Sequence, residues 1–172
     1  MRPNAGAPDD DAFARLALPH LDAAYNLARW LVRDPVVAED VVQDAMVRAM
    51  TYLHGFRGEN PRAWLLRIVR TTAYSRLART RDTREVGLDM APEQPDFADT
   101  PEAALERLQG QTTLATALAC LPLEFRECLV LRELEEMSYR DIARVTEVPI
   151  GTVMSRLWRA RDALIRHGRS LA

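Results

Sequence analysis

Lysine is absent from this chain: all 23 basic residues are arginine. Arginine presents phosphate or guanine with a planar bidentate fork, although a bias of this kind also arises from genome composition and carries little weight alone. Glycine is sparse, 7 of 172 residues, while Ala, Leu, Arg and Glu dominate, which favours an all-helical protein. No apolar run approaches the ~20 residues of a membrane span. The first eleven residues hold Pro, Asn, Gly and three successive Asp and lack the apolar core of a signal peptide, which predicts a cytoplasmic protein with a loose tail over 1–11. The two cysteines, Cys120 and Cys128, have no metal-type spacing to histidine, so a disulfide framework or thiolate metal site is not expected. Two small buried thiols are the plain reading, with a redox switch as the alternative. The three histidines, His20, His54 and His167, are scattered, and neither a Ser-His-Asp arrangement nor a phosphate loop stands out. No catalytic centre, cofactor, metal or small-molecule substrate is expected.

Apolar residues make up 48% of the sequence, too many for a disordered protein, and the length suits one full domain or two small ones. The net charge of −2 conceals segregation. Residues 57–84 carry Arg57, Arg62, Arg67, Arg70, Arg76, Arg79, Arg81 and Arg84 against Glu59 and Asp82. Residues 85–106 carry Glu85, Asp89, Glu93, Asp96, Asp99, Glu102 and Glu106 and no basic residue. Residues 138–172 carry seven Arg against Asp141, Glu147 and Asp162. Two basic blocks flank an acidic one, and for nucleic acid the blocks matter more than the sum.

Helical periodicity organises the chain. Phe13, Leu16, Leu21, Ala24, Tyr25, Leu27, Ala28 and Leu31 recur at helical intervals over 12–32, with Pro19 separating a short first turn from the main helix. Asp34-Pro35 reads as an N-cap and first helical position, followed by a helix to about Leu53 with Val37, Val41, Val42, Ala45, Met46, Ala49 and Leu53 inward. Residues 54–59 form a loop. Asn60-Pro61 caps a third helix ending near Arg81. Residues 82–100 lose periodicity and read as an acidic, Pro-containing linker. Helices from Pro101 to Leu121 and from Leu123 to Glu136 follow, then a helix-turn-helix. The expected fold is all-α, with helical domains over 12–81 and 101–172.

Three constellations carry chemistry. Asp40, Gln43 and Asp44, with Glu39, share one helix face at spacings of three and four. That face is a solvated surface, a docking surface for a basic partner, or, far less readily, a source of metal ligands. Phe56 to Arg79 mixes Arg57, Arg62, Arg67, Arg70, Arg76 and Arg79 with Phe56, Trp64 and Tyr74, the chemistry of a single-strand-binding surface. The alternative there is a helix with aromatics in the core and arginines in water. Finally, Ser138 caps a short helix with Asp141 three residues on, Pro149 firms the turn at 146–150, and the next helix alternates a buried stripe (Val153, Leu157, Ala160, Leu164) with Thr152, Ser155, Arg156 and Arg159. A helix of that pattern enters a major groove, with Thr152 near phosphate and Arg156 and Arg159 at base edges. The alternative is an αα-hairpin with a wet basic face.

Two segments carry a resemblance. Residues 38–45 (AEDVVQDA) with 62–68 (RAWLLRI), and residues 121–127 (LPLEFRE) through 138–143 (SYRDIA) to 149–157 (PIGTVMSRL), resemble the extracytoplasmic-function (ECF) group of bacterial RNA polymerase sigma factors. The resemblance covers about 12–80 and 102–166. It implies a promoter-specificity subunit, not an enzyme, that binds core polymerase, recognises −35 and −10 elements and promotes strand opening. Glu39, Asp40, Gln43 and Asp44 would bind the β′ clamp helices. Phe56, Arg57, Asn60, Arg62, Trp64, Arg67, Arg70, Thr71, Tyr74 and Arg76 would recognise and melt the −10 element. Tyr139, Arg140, Gly151, Thr152, Ser155, Arg156 and Arg159 would serve the −35 element, in a domain that also contacts the β flap. An anti-sigma partner would be possible by the same resemblance.

The chain departs from the family pattern at named positions. Met46 and Met50 stand where aromatics are usual, Thr71 where Asn is common, Met154 where Lys is usual, and Glu147 where glycine is common in the turn. Methionine would repack the core at the first two, and Met154 would cost one phosphate contact. An ordinary DNA-binding regulator, with the front bundle dimerising or sensing, is the alternative function. A metal-dependent helical-bundle enzyme is another, resting on the carboxylates alone.

Overall fold

Every element of the chain that the structure describes is helical, as the glycine-poor, periodic sequence dictates. The computed structural model describes residues 7–58, 60–86 and 115–170, with side chains over 11–58, 60–82 and 115–166. The elements are α1 (Ala7–Ala17), a 3₁₀ turn (Leu18–His20), α2 (Leu21–Val32), α3 (Pro35–Tyr52), a second 3₁₀ turn (Leu53–Gly55), α4 (Pro61–Val86), a helical stretch over 115–119, α5 (Leu123–Leu129) running into a π turn (Val130–Leu134), α6 (Tyr139–Thr146) and α7 (Ile150–Ser170).

The caps form where the sequence puts them. Asp34 Oδ1 accepts from the Val37 amide at 3.0 Å and Pro35 follows it, so α3 starts with one orphan amide satisfied and another absent. Asn60 Oδ1 accepts from the Ala63 amide at 3.0 Å and starts α4. The Ser138 hydroxyl accepts from the Asp141 amide at 3.1 Å and donates to Asp141 Oδ2 at 2.6 Å. Asp141 thus answers the capping side chain rather than the backbone, because its side chain is shorter than the usual Glu or Gln. Pro19 falls in the 3₁₀ turn between α1 and α2.

Three boundaries differ from expectation. α1 begins at Ala7, inside the segment read as a tail. Its first turn holds Pro8, which suits a helix start because proline needs no N–H there. α4 continues past Arg81 to Val86. The helix expected to reach Glu136 ends in the π turn at Leu134, where Glu136 takes φ 50 and the Met137 amide bonds back to the Leu131 carbonyl. The helix expected over 101–121 and the linker over 82–100 lie largely outside the described residues.

In the first unit α2, α3 and α4 pack around Ala24, Leu27, Leu31, Val41, Ala45, Leu65, Leu66 and Val69, all essentially buried. Val41, Val42, Ala45, Ala49 and Leu53 are buried as the period of α3 demands, and Val37 and Met46 pack against the core edge. Met50 is half-exposed and repacks nothing. In the second unit α5 and α6 pack on α7 around Leu131, Ile142, Val145, Val153, Leu157 and Ala160. The units touch: α6 lies against α4 and α5 against α2. Arg126 pins this junction. Its guanidinium is buried and donates to the Trp30 carbonyl in the last turn of α2 (3.1 Å) and to the Leu121 carbonyl (3.1 Å). A cation beside the carbonyls of a helix C-terminus is favourable, yet burial, and then repulsion from Arg33, pulls its pKa below the ordinary arginine value. Its Nε has no partner among the described groups.

Candidate nucleic-acid interface

On α3, Glu39, Asp40, Gln43 and Asp44 are all exposed on the side turned away from Val41, Ala45 and Ala49. Asp40 Oδ2 takes a hydrogen bond from Arg76 at 3.2 Å, with both side chains well exposed, so this pair is worth little. Val36 and Val47, each 67% exposed, stand on the same face. The face is therefore acidic with apolar patches, a feature the helical period of the carboxylates alone did not reveal.

Phe56 and Trp64 form a tilted aromatic pair with centroids 5.2 Å apart at the start of α4. Both are half-buried, and Trp64 leans on the core, so the core-packing alternative holds for part of its ring. Arg57 and Thr71 are exposed. The Thr71 hydroxyl donates to the Arg67 carbonyl one turn back at 2.9 Å. The other candidates on α4 are not free cations. Arg70 Nε donates to Glu127 Oε2 at 2.7 Å, and Tyr74 Oη donates to the same oxygen at 2.9 Å. Arg62 pairs with Glu135, which also accepts from Asn26 at 2.8 Å. Arg67 pairs with Glu147 at 3.4 Å, and Asn60 Nδ2 donates to Asp141 Oδ1 at 3.0 Å. The alternative that placed these arginines in open water is corrected for Arg62 and Arg70, which buried carboxylates hold, whereas Arg57 and Arg67 do face water.

Glu127 is the centre of this network, with no exposed surface. Arg70 and Arg156 both reach its Oε1 at 3.3 Å. The arginines satisfy its charge, which otherwise could not survive burial. In turn, burial lowers and the Glu127 hydrogen bond raises the affinity of Arg70 for its proton, with the net shift upward. Burial, followed by the Glu127 charge, drives the Tyr74 hydroxyl far above its usual pKa, so it is a fixed donor. Glu127 sits inside the motif read from the sequence, but its side chain carries no periodic sign of what it faces. Glu135, Asp141, Glu147 and Arg126 were missed as contact residues for the same reason.

The second helix of the helix-turn-helix, α7, places Gly151, Ser155 and Arg159 on its outer face, with Thr152 and Arg156 at the edge. The Ser155 hydroxyl donates to the Thr152 carbonyl at 3.0 Å. Glu147 caps α6 at φ 57, so it adopts the left-handed conformation that glycine takes at no cost, and the turn geometry survives the substitution. Tyr139 lies under the Arg132 guanidinium, 5.2 Å from ring centroid to Cζ, and Arg140 is exposed. Trp158, 67% exposed, and Met154 extend the outer face of α7 beyond the residues singled out in the sequence. A groove of about 350 Å³ opens between α5, the π turn and α7, lined by Leu118, Leu129, Val130, Leu134 and Leu164 with the Glu133–Arg161 pair at its edge. Cys128 is buried as expected, whereas Cys120 is exposed at the turn before α5. Among the described residues no three His, Cys, Asp or Glu side chains gather to hold a metal ion, and no helix is long and apolar enough to cross a membrane.

A helix-turn-helix unit joined to a helical bundle with an acidic face and a basic-aromatic helix defines a DNA-reading transcription factor with a protein-docking surface. Comparison with known proteins narrows this. The family profile Sigma-70 region 2 matches residues 16–83, and Sigma-70, region 4 matches residues 111–164. The RNA polymerase sigma-H factor of Pseudomonas aeruginosa is 36% identical over 91% of this chain and 86% of its own. The ECF RNA polymerase sigma-E factor of Haemophilus influenzae is 32% identical over 80% of this chain and 77% of its own. Among solved structures, the sigma factor RpoE in complex with the anti-sigma factor NepR from Bartonella quintana superposes with a TM-score of 0.71, at 28% identity, over 91% of this chain and 96% of that one. The chain belongs to the sigma-70 family, in its ECF group, and is a promoter-recognition subunit of RNA polymerase. The family is one of non-catalytic transcription initiation factors. Core polymerase and promoter DNA are accordingly its partners.

Proposed function

We propose that the sigma activity divides between the two units, with residues 12–81 gripping core polymerase and the opened −10 strand and residues 101–172 reading the −35 duplex. The observation that carries this reading is the presence of two chemically different surfaces on the first unit, one on α3 and one on α4, which meet at the exposed Arg76–Asp40 pair. The exposed Glu39, Asp40, Gln43 and Asp44 lie on α3, and Phe56, Arg57, Trp64 and Thr71 line the start and outer side of α4. One surface suits a basic protein partner, the β′ clamp helices. The other suits unstacked bases and their phosphates, with Asn60, Arg62, Arg67, Arg70, Tyr74 and Arg76 supplying polar contacts. In the second unit Gly151, Thr152, Ser155, Arg156 and Arg159 would meet the −35 groove, with Tyr139 and Arg140 against the backbone.

Opening a duplex costs a few kcal/mol per unstacked base, which trapping one strand on α4 offsets. Binding paired DNA at a second site sets register, and linking the two sites raises effective concentration. The groove between α5 and α7 offers the β flap an apolar seat. The protein works in the cytoplasm without catalysing a reaction itself. An anti-sigma factor would hold it inactive, a reading supported by the solved complex of the similar RpoE.

Run-off transcription with core polymerase on a genomic promoter library tests the reading. Glu39→Ala with Asp40→Ala and Gln43→Ala should lower core affinity while leaving −35 duplex contacts intact. Arg159→Ala should lower −35 selectivity and leave core affinity intact. The reverse pattern overturns the assignment of the faces.

A further inference from the structure

We propose that Met154 and Trp158 of α7 read thymine methyl groups in the −35 duplex, which makes an apolar flank of the recognition helix a determinant of promoter choice. The inference rests on the placement of α7 in the −35 major groove given above.

The outer face of α7 is divided lengthwise. Gly151, Ser155 and Arg159 follow one another one turn apart and form an exposed polar row. Met154 and Trp158, also one turn apart, form an exposed apolar row beside it. Trp158 stands three residues beyond Ser155 and seven beyond Gly151, so it shares their side of the helix. The buried stripe of Val153, Leu157 and Ala160 lies on the other side. A groove that admits the polar row therefore meets the apolar one as well.

Gly151 shows that this face is shaped for a close neighbour. It lies within regular helix, where glycine weakens the element. A Cβ added there would meet no atom within 4 Å, so the protein's own packing does not require its absence. A bare backbone at that point serves the approach of something from outside, and Trp158 stands two turns along on the same side.

Charge supplies only part of the reading. Residues 150–159 hold two cations, Arg156 and Arg159, and no acid. Arg156 is turned to Glu127 at 3.3 Å and keeps 22% of its side-chain surface, which leaves Arg159 as the well-exposed cation of these turns. The apolar surface is large by contrast. Trp30 and Trp64, the other two tryptophans of the chain, are half-buried against the core, whereas the Trp158 indole faces water.

In the major groove the apolar group that a base offers is the thymine C5 methyl, and the other three bases present no such group. Met154 brings a flexible thioether that follows an uneven surface, and Trp158 a broad flat one. Four residues span about 6 Å of helix, close to two base steps of about 3.4 Å. The pair thus selects two thymines one or two steps apart on one strand. The hydrogen-bonding residues of the polar row cannot make this distinction, because a methyl group neither donates nor accepts.

The test uses the full chain bound to core polymerase and the promoter duplex that this holoenzyme recovers from a library randomised over the −35 window. Each −35 thymine is replaced in turn by deoxyuridine, which removes the methyl group and keeps every hydrogen-bonding atom. One or two positions should lose affinity about three- to fivefold, as expected for one buried methyl. In Met154→Ala with Trp158→Ala the same replacements should change affinity by less than about twofold. Ile165→Ala, 57% exposed and two turns beyond Trp158, is the control and should keep the full loss. Met154→Lys gives a second reading: it should abolish the loss at one thymine and steepen the salt dependence by about one phosphate contact. These side chains are exposed, and thermal melting verifies that each variant folds.

A recovered −35 element without thymine overturns the proposal. So does deoxyuridine that has no effect at any −35 position, or that has the same effect in the unaltered chain and the double variant. Failure of the underlying placement has a different signature. Arg159→Ala and the double variant would then both recover the same −35 sequences as the unaltered chain.

Discussion

Arg70 Nε lies 2.7 Å from Glu127 Oε2, joining a helix of the first unit to a buried carboxylate of the second. The same carboxylate takes Arg156 on its other oxygen. Arg70→Met should therefore destabilise the fold by about 1–3 kcal/mol, because Glu127 stays buried with a weaker set of partners. Urea unfolding followed by circular dichroism gives the measure. An unchanged midpoint would show that Glu127 does not depend on Arg70.

Arg156 and Arg159 should separate in their effects. Arg156→Ala removes a candidate base contact and also one of the cations that neutralise Glu127, so both duplex selectivity and thermal stability should fall. Arg159→Ala, at an exposed position, should cost selectivity alone, about 1–3 kcal/mol for one bidentate guanine contact. Paired melting and duplex-binding measurements check it. Equal stability losses from the two would contradict the Glu127–Arg156 contact.

Arg33 ends α2 at φ 65, a left-handed conformation in which a side chain is strained. Arg33→Gly should raise stability by about 1 kcal/mol. It also removes a charge that repels the buried Arg126. A rise in melting temperature is the expected reading, and a fall would mean that Arg33 makes contacts worth more than the strain.

The two thiols should differ in their reactivity. Burial, with the Glu127 charge adding to it, pushes Cys128 from 9.0 up to about 11. Its folded pKa is raised, so the stability it contributes is complete below the unfolded value and is lost as pH rises from about 9 towards 11. Cys128→Ala should flatten that alkaline loss. In the native protein at pH 8, a thiol reagent should modify Cys120 quickly and reach Cys128 only on unfolding. Two fast thiols in native protein would contradict the burial.

Val36 and Val47 should contribute to core binding beside the carboxylates. Val47→Ser, at a 67% exposed position, should weaken core polymerase affinity with stability changed by less than about 0.5 kcal/mol. Competition binding against the unaltered chain supplies the measurement. Equal affinity would confine the docking surface to Glu39, Asp40, Gln43 and Asp44.

Local chemistry was readable from the chain. The caps at Asp34, Asn60 and Ser138 form because a short polar side chain next to a proline or an apolar run has few other uses for its oxygen. The inward stripes of α3 and α7 follow from helical period, which fixes which side of a helix faces its own core. Two families of arginine, one on α4 and one on α7, were likewise evident as basic faces.

The partners of those arginines were settled by tertiary structure. Period assigns a residue to a face but says nothing of what approaches that face from 50 or 80 residues away. Glu127, Glu135, Asp141 and Glu147 gained their roles only when α5 and α6 came to rest on α2 and α4. The sequence by itself determined the caps and the inward faces of the described helices, since these depend on neighbours within a few turns. Only the folded arrangement decided that Glu127 and Glu135 hold Arg70 and Arg62 of α4, since long-range electrostatic pairing is a property of how two surfaces meet.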